Sequence, residues 1–277
     1  MIISTIKDGL GNQLFMYACG YAVARRLNKK LALDTTYLAT SGLREYELAG
    51  LNVKYDKLYS INKALPYYLK VILRKLLHAR ISLRFKLYQE RQAWQFDDKI
   101  NKATGHLRLI GYWQSEKYFK QYRTEILKML TLNYQTTDSF KSILMKMKSS
   151  NSVAIHVRRG DYVALGICLG KDYYQAAIRL IKEKVDNPVF YVFSDDIAYA
   201  KELFEVEDKD RILFVNYVAV NATLEDFLLM KSCRNNITAN SSYSWWGAWA
   251  NENDEKIVVC PKRGLTDDFY PEEWIKL

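Results

Sequence analysis

The sequence offers little with which to hold a metal ion or build a disulfide framework. Four cysteines occur in 277 residues, Cys19, Cys168, Cys233 and Cys260. They lie far apart with no C-x-x-C spacing, so reduced thiols are expected. No His-x-x-x-His and no P-loop is present. A D-x-D triplet occurs as Asp208-Lys209-Asp210, but inside the charged run Glu205 to Arg211, where a solvated turn is the simpler expectation. No metal and no cofactor are therefore expected. Long apolar runs are missing too: Asn, Gln, Gly and Ser interrupt every uncharged stretch before about 20 residues, so no membrane-spanning helix is expected. The first residues enter a strand pattern directly, without a basic leader or a small-residue cleavage site, and the expected location is the cytoplasm.

One further absence is local. Between Asp56 and Glu90 there is no acid, but Lys57, Lys63, Lys70, Arg74, Lys75, Arg80, Arg84 and Lys86 are present. They alternate with Leu69, Val71, Ile72, Leu73, Leu76, Leu77, Ile81 and Leu83. Two readings stay open. One is an ordinary helix whose apolar stripe belongs to a core; the other is a basic amphipathic helix, Lys70 to Lys86, on an anionic membrane surface at the inner face of the cytoplasmic membrane. The net charge of +10 and the 21 tyrosines also raise nucleic-acid binding as a rival. The concentration of the excess in one segment argues against it, and no nucleic-acid partner is expected.

With 49% apolar and 14% aromatic residues, the chain can fill more than one core, and two domains are expected. The start reads as strand Ile2 to Ile6, turn Asp8-Gly9-Leu10-Gly11-Asn12-Gln13, helix to about Asn28, and strand Lys30 to Thr35: a βαβ unit. The stretch from about Glu45 to Asn133 shows no clear order. The polar run beginning Gln135-Thr136-Thr137 marks a boundary, giving domains over 1–145 and 146–277, with a last helix packing back on the first domain. Beyond it strand and helix alternate: strands at Ser152–Val157, Pro188–Phe193, Ile212–Val215, Asn236–Ala239 and Lys256–Cys260, helices near Asp172–Val185, Ile197–Glu205, Thr223–Cys233 and Ser241–Asn251. The third of these helices opens on a capping-box pattern, Thr223-Leu224-Glu225-Asp226. Such alternation specifies an α/β fold with a doubly wound parallel sheet, whose ligands bind beyond the carboxyl ends of the strands.

The unusual polar clusters fall at that rim. His156-Val157-Arg158-Arg159-Gly160-Asp161 brings two adjacent guanidiniums out of a buried strand. They suit a diphosphate, or an internal salt bridge to Asp161. His156 is either a core histidine or a nucleotide contact. Asp195 and Asp196 can accept from guanine or ribose, or cap the next helix. In Asn240-Ser241-Ser242-Tyr243-Ser244, small hydroxyls open a helix whose amides attract phosphate, as well as capping it. In Gly9-Leu10-Gly11-Asn12-Gln13, Leu14 stands in place of the third glycine of G-x-G-x-x-G, which removes the dinucleotide fingerprint. Gly11 can still admit close approach of a ligand, and Asn12 and Gln13 can offer amides to a sugar; a plain tight turn is the alternative.

Gly9-Leu10-Gly11-Asn12-Gln13-Leu14-Phe15, His156-Val157-Arg158-Arg159-Gly160-Asp161-Tyr162, Phe193-Ser194-Asp195-Asp196 and Asn240-Ser241-Ser242-Tyr243-Ser244-Trp245-Trp246-Gly247 together resemble the bacterial α-1,2-fucosyltransferases of glycosyltransferase family 11, in that family's order. The resemblance implies a GT-B-like fold of two Rossmann-type domains facing a cleft. It also implies inverting, metal-free transfer of L-fucose from GDP-β-L-fucose to the 2-hydroxyl of a galactose-terminated glycan, of the kind found in O-antigen or lipopolysaccharide. It assigns Arg158 and Arg159 to the donor diphosphate, His156 with Asp195 or Asp196 to guanosine, Ser241 and Ser242 to the phosphate side, and Asn12 to the fucose. Asp161, the one carboxylate inside the arginine cluster, is the candidate general base. Two departures stand out: Asp8 replaces a commoner glycine and Met16 a commoner glutamine.

Overall fold

A computed structural model of the chain describes residues 1–204, 211–262 and 268–277; the Asp208-Lys209-Asp210 triplet lies outside them. The chain forms two compact units, Met1–Asn133 with Thr266–Pro271, and Tyr134–Leu265 with Glu272–Leu277. The division falls at Asn133/Tyr134 rather than 145/146. The reason is the helix Asp138–Lys148: its Phe140 and Met147 pack against Ala154, Tyr191 and Leu229 of the second unit. In the segment that returns to the first unit, the described residues 268–271 form no helix. Its Phe269 ring lies 6.1 Å from that of Phe15.

The first unit runs β1 (Ile2–Thr5), α1 (Leu10–Arg26), β2 (Leu31–Asp34), α2 (Thr36–Ser41), β3 (Lys57–Tyr59), α3 (Tyr67–Ser82), β4 (Lys86–Gln89), β5 (Leu107–Ile110) and α4 (Arg123–Met129). Among the described residues its sheet has five strands, all parallel, in the order β3-β2-β1-β5-β4. The chain winds outward from β1 to β3 and then crosses to the other side, so the topological switch lies between β1 and β5. Helix α1 covers β1 and is buried on almost every side. Close packing there depends on Gly20, where a Cβ would sit 2.7 Å from Ser4 Cβ; Gly20→Ala forces a shift that costs about 1–3 kcal/mol.

Helix α3 bears on the core reading of the basic segment. Of its residues only Ile81 is buried, with Leu77 partly so against Ile3 and Ala32. Ile72, Leu73 and Leu76 are exposed by 49%, 43% and 63%. The stripe is therefore mostly not core.

The second unit runs α5 (Asp138–Lys148), β6 (Asn151–Val157), α6 (Gly160–Leu165), α7 (Lys171–Lys184), β7 (Pro188–Ser194), α8 (Ile197–Leu203), β8 (Ile212–Phe214), α9 (Ala222–Ser232), β9 (Asn235–Ile237), α10 (Ser242–Trp249), β10 (Val258–Cys260) and β11 (Ile275–Lys276). Its six described strands are parallel in the order β11-β10-β9-β6-β7-β8, the doubly wound order with its switch between β6 and β9. Successive side chains of β6 alternate between faces. Val153, Ile155 and Val157 pack with α7 and α8, whereas Ala154 faces Phe140, Leu229 and Met230. The N-cap of α9 lies two residues before Thr223. Asn221 caps Leu224 N, and Glu225 reaches back to the amides of Val220 and Asn221. Asparagine is among the strongest N-caps, and here it outcompetes the threonine.

Candidate active site

Strand β6 ends in Val157, and the chain must then turn at once into α6. Gly160, at φ +21°, makes that turn possible: a Cβ there would lie 2.7 Å from Asp195 Oδ2. Asp195, at the end of β7, holds the turn from beside it. Its Oδ1 accepts from Arg159 N at 2.8 Å, and its Oδ2 lies 2.6 Å from Arg158 Nη1. Arg158 is gripped on its other nitrogen as well, with Nη2 2.5 Å from Asp161 Oδ1. The internal salt bridge thus exists, and it fixes the guanidinium at the rim.

Arg159 is held differently. Its guanidinium lies over the Tyr199 ring, Cζ 3.7 Å from the centroid. Its Nε is 3.7 Å from Asp196 Oδ2, and that buried nitrogen has no hydrogen-bond acceptor among the described residues. A buried N–H left unmet on a half-buried guanidinium is a standing cost that an anionic ligand removes. Asp196 caps α8, its Oδ1 accepting from Tyr199 N at 3.0 Å, while Ser194 Oγ accepts from Asp196 N. Of the two aspartates, Asp195 thus spends both oxygens inside the loop, and Asp196 spends Oδ1 on the cap and keeps Oδ2 beside Arg159.

His156 is buried, 5.4 Å between ring centroids from Tyr243 in an edge-on arrangement, and its Nδ1 has no partner among the described residues. Burial, helped by the Arg158 charge, pushes its pKa down to about 3, so the ring is neutral at physiological pH. Across the switch from β6, the chain leaving β9 reaches Asn240, Ser241 and Ser242. Asn240 Nδ2 donates to Ile167 O, and the backbone carbonyl of Asn240 accepts from Tyr162 OH. Ser241 caps α10 by accepting from Tyr243 N at 3.3 Å, and Ser242 is half-buried in the first turn. The first turn of α10, the positive end of its dipole, thus follows β9 at the same switch point that the arginines reach from β6. Trp245, Trp246 and Trp249 behind them are buried and serve packing. The second rim therefore gathers His156, Arg158, Arg159, Asp161, Asp195, Asp196, Asn240, Ser241 and Ser242 from three loops.

The turn before α1 belongs to the first rim. Asp8 has φ 61°, in the left-handed region that glycine adopts without strain. That explains why glycine suits the position, and why Asp8 must be anchored: its Oδ2 accepts from Tyr112 OH at 2.6 Å. Gly9 caps α1 and Gly11 is buried in its first turn. Asn12 Oδ1 accepts from Gln114 Nε2 at 2.7 Å. Gln13, for which the sequence leaves a sugar contact or a plain turn open, is wholly buried and fully used: Nε2 donates to the carbonyls of Asp8 and Glu45, and Oε1 accepts from Glu47 N. It ties the turn to the loop after α2.

Sequence reasoning passed over the partners of this turn. Gly111 follows β5 because a Cβ would lie 2.4 Å from Glu90 Cβ. Glu90 then accepts from the amides of Tyr112 and Trp113, and burial raises its pKa in spite of those bonds. Trp113 sits at φ 56°, strain of the kind that persists where surroundings over-determine a loop. A glycine directly after the apolar run Leu107 to Ile110 was the available signal. Among the described residues no cluster of His, Cys, Asp and Glu fit to hold a metal occurs, and no helix is long and apolar enough to cross a membrane.

The glycosyl transferase family 11 profile matches residues 1–277. The chain belongs to glycosyltransferase family 11. It is 33% identical to the α-1,2-colitosyltransferase of Escherichia coli, over 100% of this chain and 99% of that protein. It is 31% identical to the E. coli O-antigen biosynthesis glycosyltransferase WbnK, over 99% of each. Against the galactoside 2-α-L-fucosyltransferase Sec1 of mouse the identity is 24%, over 99% of this chain and 73% of that one. The fold is GT-B-like: the fucosyltransferase NodZ from Bradyrhizobium superposes with a TM-score of 0.51 at 14% identity, covering 89% of this chain and 91% of that one. Membership makes the family 11 chain a glycosyltransferase, and the rims described above are where its substrates must be sought.

Proposed function

We propose that this glycosyltransferase moves L-fucose from GDP-β-L-fucose to the 2-hydroxyl of a galactose residue in a bacterial surface glycan, with inversion at the anomeric carbon. The observation that carries the reading is the arginine pair at the carboxyl end of β6, where Arg159 Nε lacks an acceptor among the described residues and α10 opens after the neighbouring strand β9. A nucleoside diphosphate meets both: its oxygens accept from the guanidiniums and from the α10 amides. As the glycosidic bond to GDP breaks, negative charge grows on the β-phosphate, and fixed cations lower that barrier without a metal. Asp161 orients Arg158, given their 2.5 Å contact, and His156 supplies a neutral ring to the nucleoside side. Asn12, held by Gln114, is the sugar-side contact on the first unit.

The E. coli relative named an α-1,2-colitosyltransferase makes GDP-colitose the specific competitor. Colitose is fucose without its 3-hydroxyl, so discrimination rests on one hydrogen-bonding group. Such groups separate substrates strongly when the protein's own polar partner is otherwise left buried and unpaired. Mass spectrometry and linkage analysis of products, with GDP-fucose and GDP-colitose supplied to a panel of galactose-terminated oligosaccharides, tests the assignment. A fucosyl-α-1,2-galactose product made at least tenfold faster than the colitosyl one supports it; the reverse preference refutes it.

The exposed Ile72, Leu73 and Leu76 on an acid-free helix favour a second element: α3 rests on anionic lipid, where a lipid-linked acceptor would be met. Sedimentation with phosphatidylglycerol vesicles should pull down the chain more than phosphatidylcholine vesicles do. Equal recovery from both removes this element.

A further inference from the structure

A cavity of about 250 Å³ opens at the other switch point, beyond the carboxyl ends of β1, β2 and β5. Thr5, Lys7, Tyr37, Arg74, His78 and Arg108 line it. Three of these are permanent cations, and the carboxylate beneath them is that of Asp34, wholly buried at the end of β2. Asp34 Oδ2 is shared by Arg108 Nη2 at 3.2 Å and His78 Nε2 at 3.1 Å. Burial alone would raise the Asp34 carboxyl, but hydrogen bonds with His78 and Thr36 outweigh it and hold it below its ordinary range. Its single charge is therefore present, and it serves Arg108.

Among the described residues Lys7 and Arg74 have no carboxylate within 4 Å. Lys7 lies 3.9 Å from the centroid of the Tyr112 ring, and Arg74 is 5.1 Å from that of Tyr37 while donating to Thr40 Oγ1 at 2.9 Å. Glu90, which feels Lys7, is spent on the amides of Tyr112 and Trp113. Two lining atoms lack hydrogen-bond partners among the described residues: Arg108 Nε, on a side chain only 8% exposed, and Thr5 Oγ1. Arg74 and Arg108 are close enough to repel. The cavity is thus a pocket of surplus positive charge with unmet donors, at the place where open parallel sheets bind ligands.

We infer that this pocket is an oxyanion subsite for a phosphate or carboxylate group carried by the acceptor glycan. That the acceptor is the carrier rests on the transfer reaction proposed above; the affinity for an oxyanion does not. Arg74 and Arg108 present planar forks to such a group, Lys7 adds a point charge and Thr5 a hydroxyl. Arg74 and His78, four residues apart on α3, bring one face of the acid-free helix to the pocket. Part of the basic segment is thereby committed to a substrate and not to lipid.

The test is calorimetric titration of the full chain carrying Arg158→Ala and Arg159→Ala, which silences the other rim. Galactose, galactose 1-phosphate and galacturonate are the probes. Binding of either anionic sugar, with galactose silent at the same concentration, is expected. Arg74→Gln or Lys7→Gln should each weaken it about tenfold, and Arg74→Lys should recover part of the loss. A response to galactose 1-phosphate alone points to a phosphate-bearing acceptor, and one to galacturonate alone to an acidic sugar. If neither binds, or if both bind as tightly after Arg74→Gln and Lys7→Gln, the subsite does not exist. Failure of the donor reading looks different: GDP affinity would survive loss of Arg158 and Arg159.

Discussion

At the rim of the second sheet each arginine has acids of its own: Arg158 between Asp161 and Asp195, Arg159 beside Asp196. At the rim of the first, Asp34 answers Arg108 while Lys7 and Arg74 rest on aromatic rings. Both rims stand at a switch point of a parallel sheet, so topology explains where they are and not how they differ. The difference lies in what each must hold. Paired arginines keep a fixed geometry and give up little charge to solvent, which suits a group whose charge grows as a bond breaks. Unpaired cations favour simple capture of a charge already present.

The largest effect that would sharpen this contrast is on stability. Asp34→Ala leaves Arg108 buried without its partner and should destabilise the first unit by about 3–5 kcal/mol, read as a fall in the urea midpoint. Asp161→Ala, at a half-exposed ion pair, should cost under about 1 kcal/mol of stability. Its cost belongs in turnover, where losing the orientation of Arg158 should lower kcat/KM roughly tenfold to a hundredfold without removing a limb of the pH–rate profile. Loss of a limb would instead make Asp161 the general base.

Next in size is the response to acid. His156 titrates near 3 in the folded chain against about 6.5 when unfolded. Its folded pKa is depressed, so its stabilising term is complete above pH 6.5 and is lost as pH falls toward 3. A His156→Asn variant should show a flatter fall in stability across that window.

Asp226 behaves oppositely. Burial, against the Tyr217 hydrogen bond, raises it to about 6, so its contribution favours folding at low pH and is lost as pH rises through 6. Asp226→Asn should therefore raise the melting temperature at pH 7.5, by an amount equivalent to about 1–3 kcal/mol, and bring little gain at pH 4.

The two units also differ in how far they could be read from the amino-acid string. In the second, β6 and β7 are buried on both faces and flanked by amphipathic helices, so strand and helix periods alternate cleanly and their bounds fall within a few residues. The rim clusters followed, because two arginines and two aspartates at strand ends have no place in a core. In the first unit β3 and β4 are half-exposed edge strands, Lys57–Tyr59 and Lys86–Gln89. Their mixed residues carry no period, as is usual at edges. Arg108 sits in the middle of an apolar strand, and only its partner Asp34, 74 residues away, makes that tolerable. Local patterns hold no trace of such pairings, and the second pocket was invisible for that reason. Gln13 stayed ambiguous for a related one: an amide at a turn looks available to a sugar until the loops it ties are known.

Calorimetric titration of GDP into the chain and into its Arg158→Ala/Arg159→Ala variant tests the centre of this account. The arginine pair at the β6/β9 switch should account for a loss of at least about a hundredfold in GDP affinity, with the unfolding profile of the first unit unchanged. GDP binding that survives both substitutions would contradict it.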